Sequence, residues 1–198
     1  MKLATAGALI RLISWRLTSR HAQDDPMTID LKSFIRDIPN FPKPGIIYRD
    51  IAPLLLDPQA FKAATEAMAA PFDGETVDVV AAAEARGFIF AAPLALHLNA
   101  GFVPIRKPGK LPFETHSHSY DLEYGSDELH VHIDGVLPGQ RVIIVDDLLA
   151  TGGTMQACCK LLELCQAEIL GCSFLIHLAG LKGETKLQPY RVESAIVY

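Results

Sequence analysis

Apolar residues recur along this chain in short blocks separated by Gly, Pro and charged turns, and the blocks alternate between two periods. Val77 to Ala83 and Val142 to Val145 are continuous apolar runs, the pattern of strands buried on both faces. Phe102 to Ile105 and Ile169 to Leu178 read as further strands, and residues 192–198 as a last edge strand. Helical spacing fills the intervals. Leu31, Phe34, Ile35 and Ile38 predict a helix over residues 29–38, stopped by Pro39. Asp57-Pro58 is a helix start, with Asp as cap and Pro in the first turn, for a helix reaching about Ala70. Phe88 to Leu98, absorbing Pro93, and the turn and helix of Thr151 to Gln166 complete the set. This alternation predicts an α/β fold, a mainly parallel twisted sheet flanked by helices on both faces.

Two stretches break the pattern. Pro108 to Ser119 has no periodicity and holds two prolines, so it reads as a mobile loop. Tyr120 to Tyr124 and Glu128 to Ile133 read as two arms of a hairpin around Gly125-Ser126-Asp127. In the second arm Leu129, Val131 and Ile133 alternate with His130 and His132. That puts the histidines on a polar, exposed face. They and the pair His116 and His118 could hold a metal only by converging, and the solvated face is the simpler reading.

A length of 198 residues suits one domain with a full core, and 49% hydrophobic with 21% charged residues is ordinary globular composition. No apolar stretch reaches the roughly 20 residues of a membrane helix. The net charge is −5, of which residues 1–26 contribute +2, leaving −7 on the rest. An acidic body argues against nucleic-acid binding, which needs basic surface. Residues 1–26 form an N-terminal extension outside the fold, and residues 27–198 the domain. The extension is basic up to Gln23 and could be a targeting peptide, but Arg11 interrupts the apolar stretch that a signal peptide needs. Met27 as the start of the chain is the simpler alternative. Cys158, Cys159, Cys165 and Cys172 show no metal-binding spacing. They read as reduced core residues, which fits a reducing, cytoplasmic location.

The chemistry gathers at Val142-Ile-Ile-Val-Asp-Asp-Leu-Leu-Ala-Thr-Gly-Gly-Thr154: a strand, two acids, a small-residue loop and a helix start. In parallel sheets ligands bind at the carboxyl ends of strands. Ala150, Thr151, Gly152, Gly153 and Thr154 offer consecutive backbone N–H groups at a helix N-terminus, which favours an anion. A phosphate monoester is the natural guest. Asp146 and Asp147 would repel that phosphate but can accept hydrogen bonds from sugar hydroxyls. A ribose 5-phosphate meets both conditions. Neither G-x-x-x-x-G-K-[ST] nor G-x-G-x-x-G occurs. Gly152-Gly153 alone would be a helix-start turn; the run in series is a site.

That run resembles the 5-phosphoribosyl-1-pyrophosphate (PRPP) signature of the phosphoribosyltransferases. Phe41-Pro-Lys-Pro-Gly-Ile-Ile-Tyr-Arg-Asp50, Glu84-Ala-Arg-Gly-Phe88, Ile105-Arg-Lys-Pro-Gly-Lys-Leu-Pro112 and Tyr120-Asp-Leu-Glu-Tyr-Gly125 narrow the likeness to adenine phosphoribosyltransferases. The resemblance implies a type I phosphoribosyltransferase fold with a base-covering N-terminal hood and a flexible hairpin flap. It implies transfer from PRPP to adenine, giving AMP and pyrophosphate, with Mg²⁺ held mainly through substrate. Ile47, Tyr48, Arg49 and Leu178 match the positions that hold the base. Arg86 matches the pyrophosphate-loop arginine, after a non-proline cis peptide expected at Glu84–Ala85. Arg106 matches an arginine that reaches a neighbouring subunit, implying a homodimer. Lys107, Lys110 and Tyr124 match the mobile loop and flap, and Glu123 the proposed acid/base. Read without the resemblance, Tyr48 could be a core aromatic, Arg106 to Lys110 a solvated turn and Glu123 a surface carboxylate. A transferase for a 6-oxopurine, or a PRPP-sensing regulator without catalysis, are the alternatives.

Overall fold

The strands β3 (Val79–Ala83) and β7 (Arg141–Leu149) lie side by side at the centre of a parallel five-stranded sheet in a computed structural model that describes residues 29–121 and 126–198. Its order is β4-β3-β7-β8-β9, with β4 at Gly101–Ile105, β8 at Glu168–His177 and β9 at Val192–Val197. Successive side chains point to opposite faces, and both faces are covered. Val80, Ala82, Ile143 and Val145 pack with Phe72, Phe90 and Leu94 in one core cluster. Ala81, Val142, Ile144 and Phe174 pack with Met155, Cys158, Leu161 and Leu162 in the other. This double burial explains the unbroken apolar runs.

The first cluster is closed by α1 (Ala52–Leu56), α2 (Pro58–Ala69) and α3 (Gly87–His97). The Asp57 carboxylate caps α2, accepting from the amides of Gln59 and Ala60, and α3 carries Pro93 inside it. The second cluster is closed by α4 (Gly153–Leu164) and by a hairpin of β5 (Thr115–Asp121) and β6 (Ser126–His132). All four cysteines are free and buried. Among the described residues no helix is long and apolar enough to cross a membrane.

Three expectations are corrected. Residues 29–38 are not a helix: Leu31–Phe34 is one 3-10 turn, and β1 (Arg36–Pro39) pairs antiparallel with β2 (Ile47–Asp50). Ion pairs Arg36–Asp50 and Arg49–Asp37 join the two strands. Such cross-strand pairs outweigh the weak propensity of a ten-residue segment. The stretch read as a loop to Ser119 becomes strand from Thr115, because β6 offers it a full ladder from Thr115↔His132 to Asp121↔Ser126. Its polar side chains gave no apolar alternation to read. His130 and His132, expected on an exposed face, are half-buried, and the Nε2 atom of each is buried without a hydrogen-bond partner. The imidazoles are covered because β6 also bridges Arg106 of the main sheet edge, and Phe113 packs edge-on to His132.

Candidate active site

The strand β7 does not stop before its two acids. It pairs with β8 through Asp146↔Phe174 and Leu149↔His177, so both carboxylates sit on a rigid strand at the sheet's carboxyl edge. Asp147 is only 5% exposed. Burial, with the adjacent charge of Asp147, pushes the Asp146 carboxyl up to about 8. Burial raises Asp147 as well, and Arg86 opposes it. The first residue of α3 lies directly beneath: a Cβ on Gly87 would meet Asp146 Oδ1 and the Val145 carbonyl at 3.0 Å.

After Leu149 the chain turns through Ala150–Gly152 into α4. Gly152 has φ +77, a left-handed conformation that suits glycine. It caps α4 with no side-chain hydrogen bond, so the first amides of the helix stay available to a ligand. Ala150, Thr151, Gly152, Gly153 and Thr154 line a cavity of about 790 Å³ together with Asp146. The far wall is Leu181, Lys182, Thr185 and Lys186, which sequence reasoning missed. Their approach depends on the turn after β8, and local pattern carries no sign of it. The one available signal was Gly183: a Cβ there would lie 2.2 Å from the Ala150 carbonyl.

Arg86, the residue before α3, joins the acids to the hood. Its guanidinium is 3.0 Å from Asp147 Oδ2 and donates to the Tyr48 hydroxyl at 2.5 Å. The Tyr48 ring meets Phe41 edge-on at 5.2 Å, an aromatic partner not singled out from sequence. Ile47 is half exposed beside it. Arg49 stacks on the Tyr198 ring at 3.8 Å. The Tyr198 carbonyl accepts from Ala179 N, next to Leu178, whose own amide donates to the Leu149 carbonyl at the end of β7. Tyr48, Arg49 and Leu178 are thus tied to one another and to the end of β7.

The basic cluster is less uniform than its sequence. Arg106 donates to Glu84 Oε2 at 2.7 Å, and the Lys107 amide donates to Glu84 Oε1 at 3.1 Å. Burial alone would raise the Glu84 carboxyl, but those two partners hold it below the ordinary carboxylate range. The Lys107 ammonium pairs with Asp127, which also accepts from Tyr120 at 3.2 Å. Tyr120 reaches Thr154 of the loop at 3.5 Å. Lys110 is exposed. Glu84, Tyr120 and Asp127 were not selected from sequence, since their value comes only from these pairings. The cis peptide expected at Glu84–Ala85 is present. Glu123 and Tyr124 lie outside the described residues.

Residues 54–197 match the family model of the phosphoribosyl transferase domain. An adenine phosphoribosyltransferase of Rhodopirellula baltica is 66% identical over 170 residues, covering 86% of this chain and 82% of its own. The crystal structure of an adenine phosphoribosyltransferase from Thermoanaerobacter pseudethanolicus superposes with a TM-score of 0.82 at 52% identity, covering 85% of this chain and 98% of its own. That of the Saccharomyces cerevisiae enzyme, complexed with an imino-altritol bisphosphate and adenine, gives 0.76 at 38% identity, covering 85% of this chain and 94% of its own.

Proposed function

This chain belongs to the adenine phosphoribosyltransferases, and we propose from that premise how its residues move the 5-phosphoribosyl group of PRPP onto adenine, giving AMP and pyrophosphate. One observation carries the reading: an open helix N-terminus, a buried acid pair and Arg86 meet at the carboxyl edge of β3 and β7. The 5-phosphate rests on the amides of Ala150, Thr151, Gly152, Gly153 and Thr154. Asp146 and Asp147 accept hydrogen bonds from the ribose 2′ and 3′ hydroxyls. A neutral guest suits them, because burial disfavours their charge and Arg86 already partners Asp147. Adenine stacks at Tyr48, meets backbone groups of Ile47 and Arg49, and has Leu178 on its other face.

In the reaction the adenine N9 electron pair bonds to C1′, and the C1′–O bond to pyrophosphate breaks with its pair leaving on pyrophosphate. Arg86 exchanges Asp147 for that leaving group, and Arg106, Lys107 and Lys110 add charge where it develops. Glu123 takes the N9 proton. Among the described residues no three His, Cys, Asp or Glu side chains converge as a metal cage. The oxygen donors present fit Mg²⁺, which prefers a carboxylate or two plus substrate oxygens and water. Mg²⁺ bound with PRPP would supply further charge to the leaving pyrophosphate. The reading includes a homodimer in which Arg106 reaches the neighbouring site, a domain of residues 27–198, and a cytoplasmic location that four free thiols suit.

The test is a steady-state assay with PRPP, Mg²⁺ and, in turn, adenine, hypoxanthine, guanine and xanthine. Adenine gives the highest kcat/KM. Adenine as the poorest of the four overturns the base assignment, and PRPP binding without AMP overturns catalysis.

A further inference from the structure

We infer that Lys182 and Lys186 are specificity-determining residues for the sugar phosphate: they supply the positive charge that the phosphate loop lacks. The inference rests on the site proposed above. Residues 150–154 contain no basic side chain, and the charges next to them on β7 are the acids Asp146 and Asp147. Open amides and a helix dipole offer about half a unit of positive charge. A phosphate monoester brings about −1.5 to −2. The rest of the compensation must come from across the cavity, and Lys182 and Lys186 are the cations on that wall.

Their pairing sets them apart. Arg86, Arg106 and Lys107 each face a carboxylate. Neither the Lys182 nor the Lys186 ammonium makes an ion pair or hydrogen bond with a described residue. Lys182 feels the Glu184 carboxylate only through space, without direct contact, so both ammonium groups can turn to a ligand without breaking an ion pair.

Their support is rigid. The segment is pressed backbone to backbone on the loop: a Cβ on Gly152 would lie 2.4 Å from the Gly183 carbonyl. Lys182 adopts φ +53, and its carbonyl accepts from the Thr185 hydroxyl at 2.7 Å. The Lys186 carbonyl accepts from the Gln156 side-chain amide of α4 at 3.2 Å. Glu184, between them, is 3.0 Å from the His177 ring at the end of β8. Three of these contacts tie the segment to the loop, to α4 and to β8, and hold the backbone that carries both lysines on the cavity wall, so they recognise a sugar carrying a 5-phosphate over one without it.

The test is the double variant Lys182→Gln/Lys186→Gln in the full chain, read by calorimetric binding of ribose 5-phosphate at low and high salt. The dissociation constant at low salt rises about tenfold, as expected for losing contacts to a charged group. The KM for PRPP rises with it, and the KM for adenine moves less than about twofold. The Lys182→Arg/Lys186→Arg variant restores binding, and the variant with Gln loses part of the wild type's salt dependence. An affinity for ribose 5-phosphate within twofold of wild type overturns the inference, and so does an equal rise in the adenine KM. If the wild type makes no AMP, the functional reading fails while ribose 5-phosphate binding still decides on the lysines.

Discussion

In the proposed reading the loop at residues 150–154 and the cluster at Arg86, Arg106 and Lys107 would both receive phosphate groups of the same substrate, yet they are made of different materials. The loop is backbone: open amides, two glycines and a helix start locked against Gly183. The cluster is side-chain charge, and at rest each charge is spent on a neighbour, Arg86 on Asp147, Arg106 on Glu84 and Lys107 on Asp127. A backbone site cannot rearrange, so it holds one group in one place throughout a reaction. A self-paired site must change partners to bind, and can therefore release what it has bound. In the proposed reaction the first would suit the phosphate kept in AMP, the second the pyrophosphate that leaves.

The contrast can be broken at its rigid end first. Gly183→Ala forces a Cβ into the Ala150 carbonyl and displaces the loop. A shift of that kind costs about a hundredfold in kcat/KM for PRPP, measured by initial rates, and near-normal rates would show that the interlock is dispensable. Asp147→Asn turns one of the two acceptor oxygens into a donor and removes the charge that partners Arg86 at rest. The KM for PRPP rises about tenfold, and an unchanged value would count against the ribose assignment.

A third test uses pH. Asp146 has a folded-state value raised from 3.8 to about 8, so its contribution to stability is full below pH ~4 and is lost as pH rises through 8. Thermal unfolding of the ligand-free protein should show the wild type losing several degrees more than Asp146→Asn between pH 5 and pH 9. Parallel curves would mean that the carboxyl is not held protonated. The smallest effect lies in the cluster. Glu84→Gln frees Arg106, and the affinity for inorganic pyrophosphate rises about threefold, more at low salt. A fall in affinity would show that Glu84 orients Arg106 rather than restraining it.

The two regions also differ in how much of them could be read from sequence. The loop was legible because its chemistry is local: four apolar residues, two acids and Thr-Gly-Gly-Thr are one continuous strand, turn and helix start. The core strands were legible for the same reason, their burial on both faces being written as unbroken apolar runs. The network of Tyr48, Arg86 and Asp147 spans about a hundred residues and exists only because the hood folds over the edge of β3 and β7. The resemblance supplied Tyr48 and Arg86 as site residues, but not their bond. Lys182 and Lys186 escaped notice because surface lysines after a strand look alike until a cavity is drawn around them. The hood misled for a physical reason as well: Leu31, Phe34, Ile35 and Ile38 carry a helical period, while the ion pairs that make residues 36–39 a strand come from Arg49 and Asp50.

The contact between Gly152 and Gly183 also bears on the order of events during synthesis. A chain emerging from the ribosome completes Asp146 to Thr154 some thirty residues before the wall that closes the cavity. Until Gly183 and the residues anchoring it have folded onto the loop, the phosphate pocket has one side. A nascent chain interrupted before residue 183 would therefore carry the whole signature yet only one wall of its pocket.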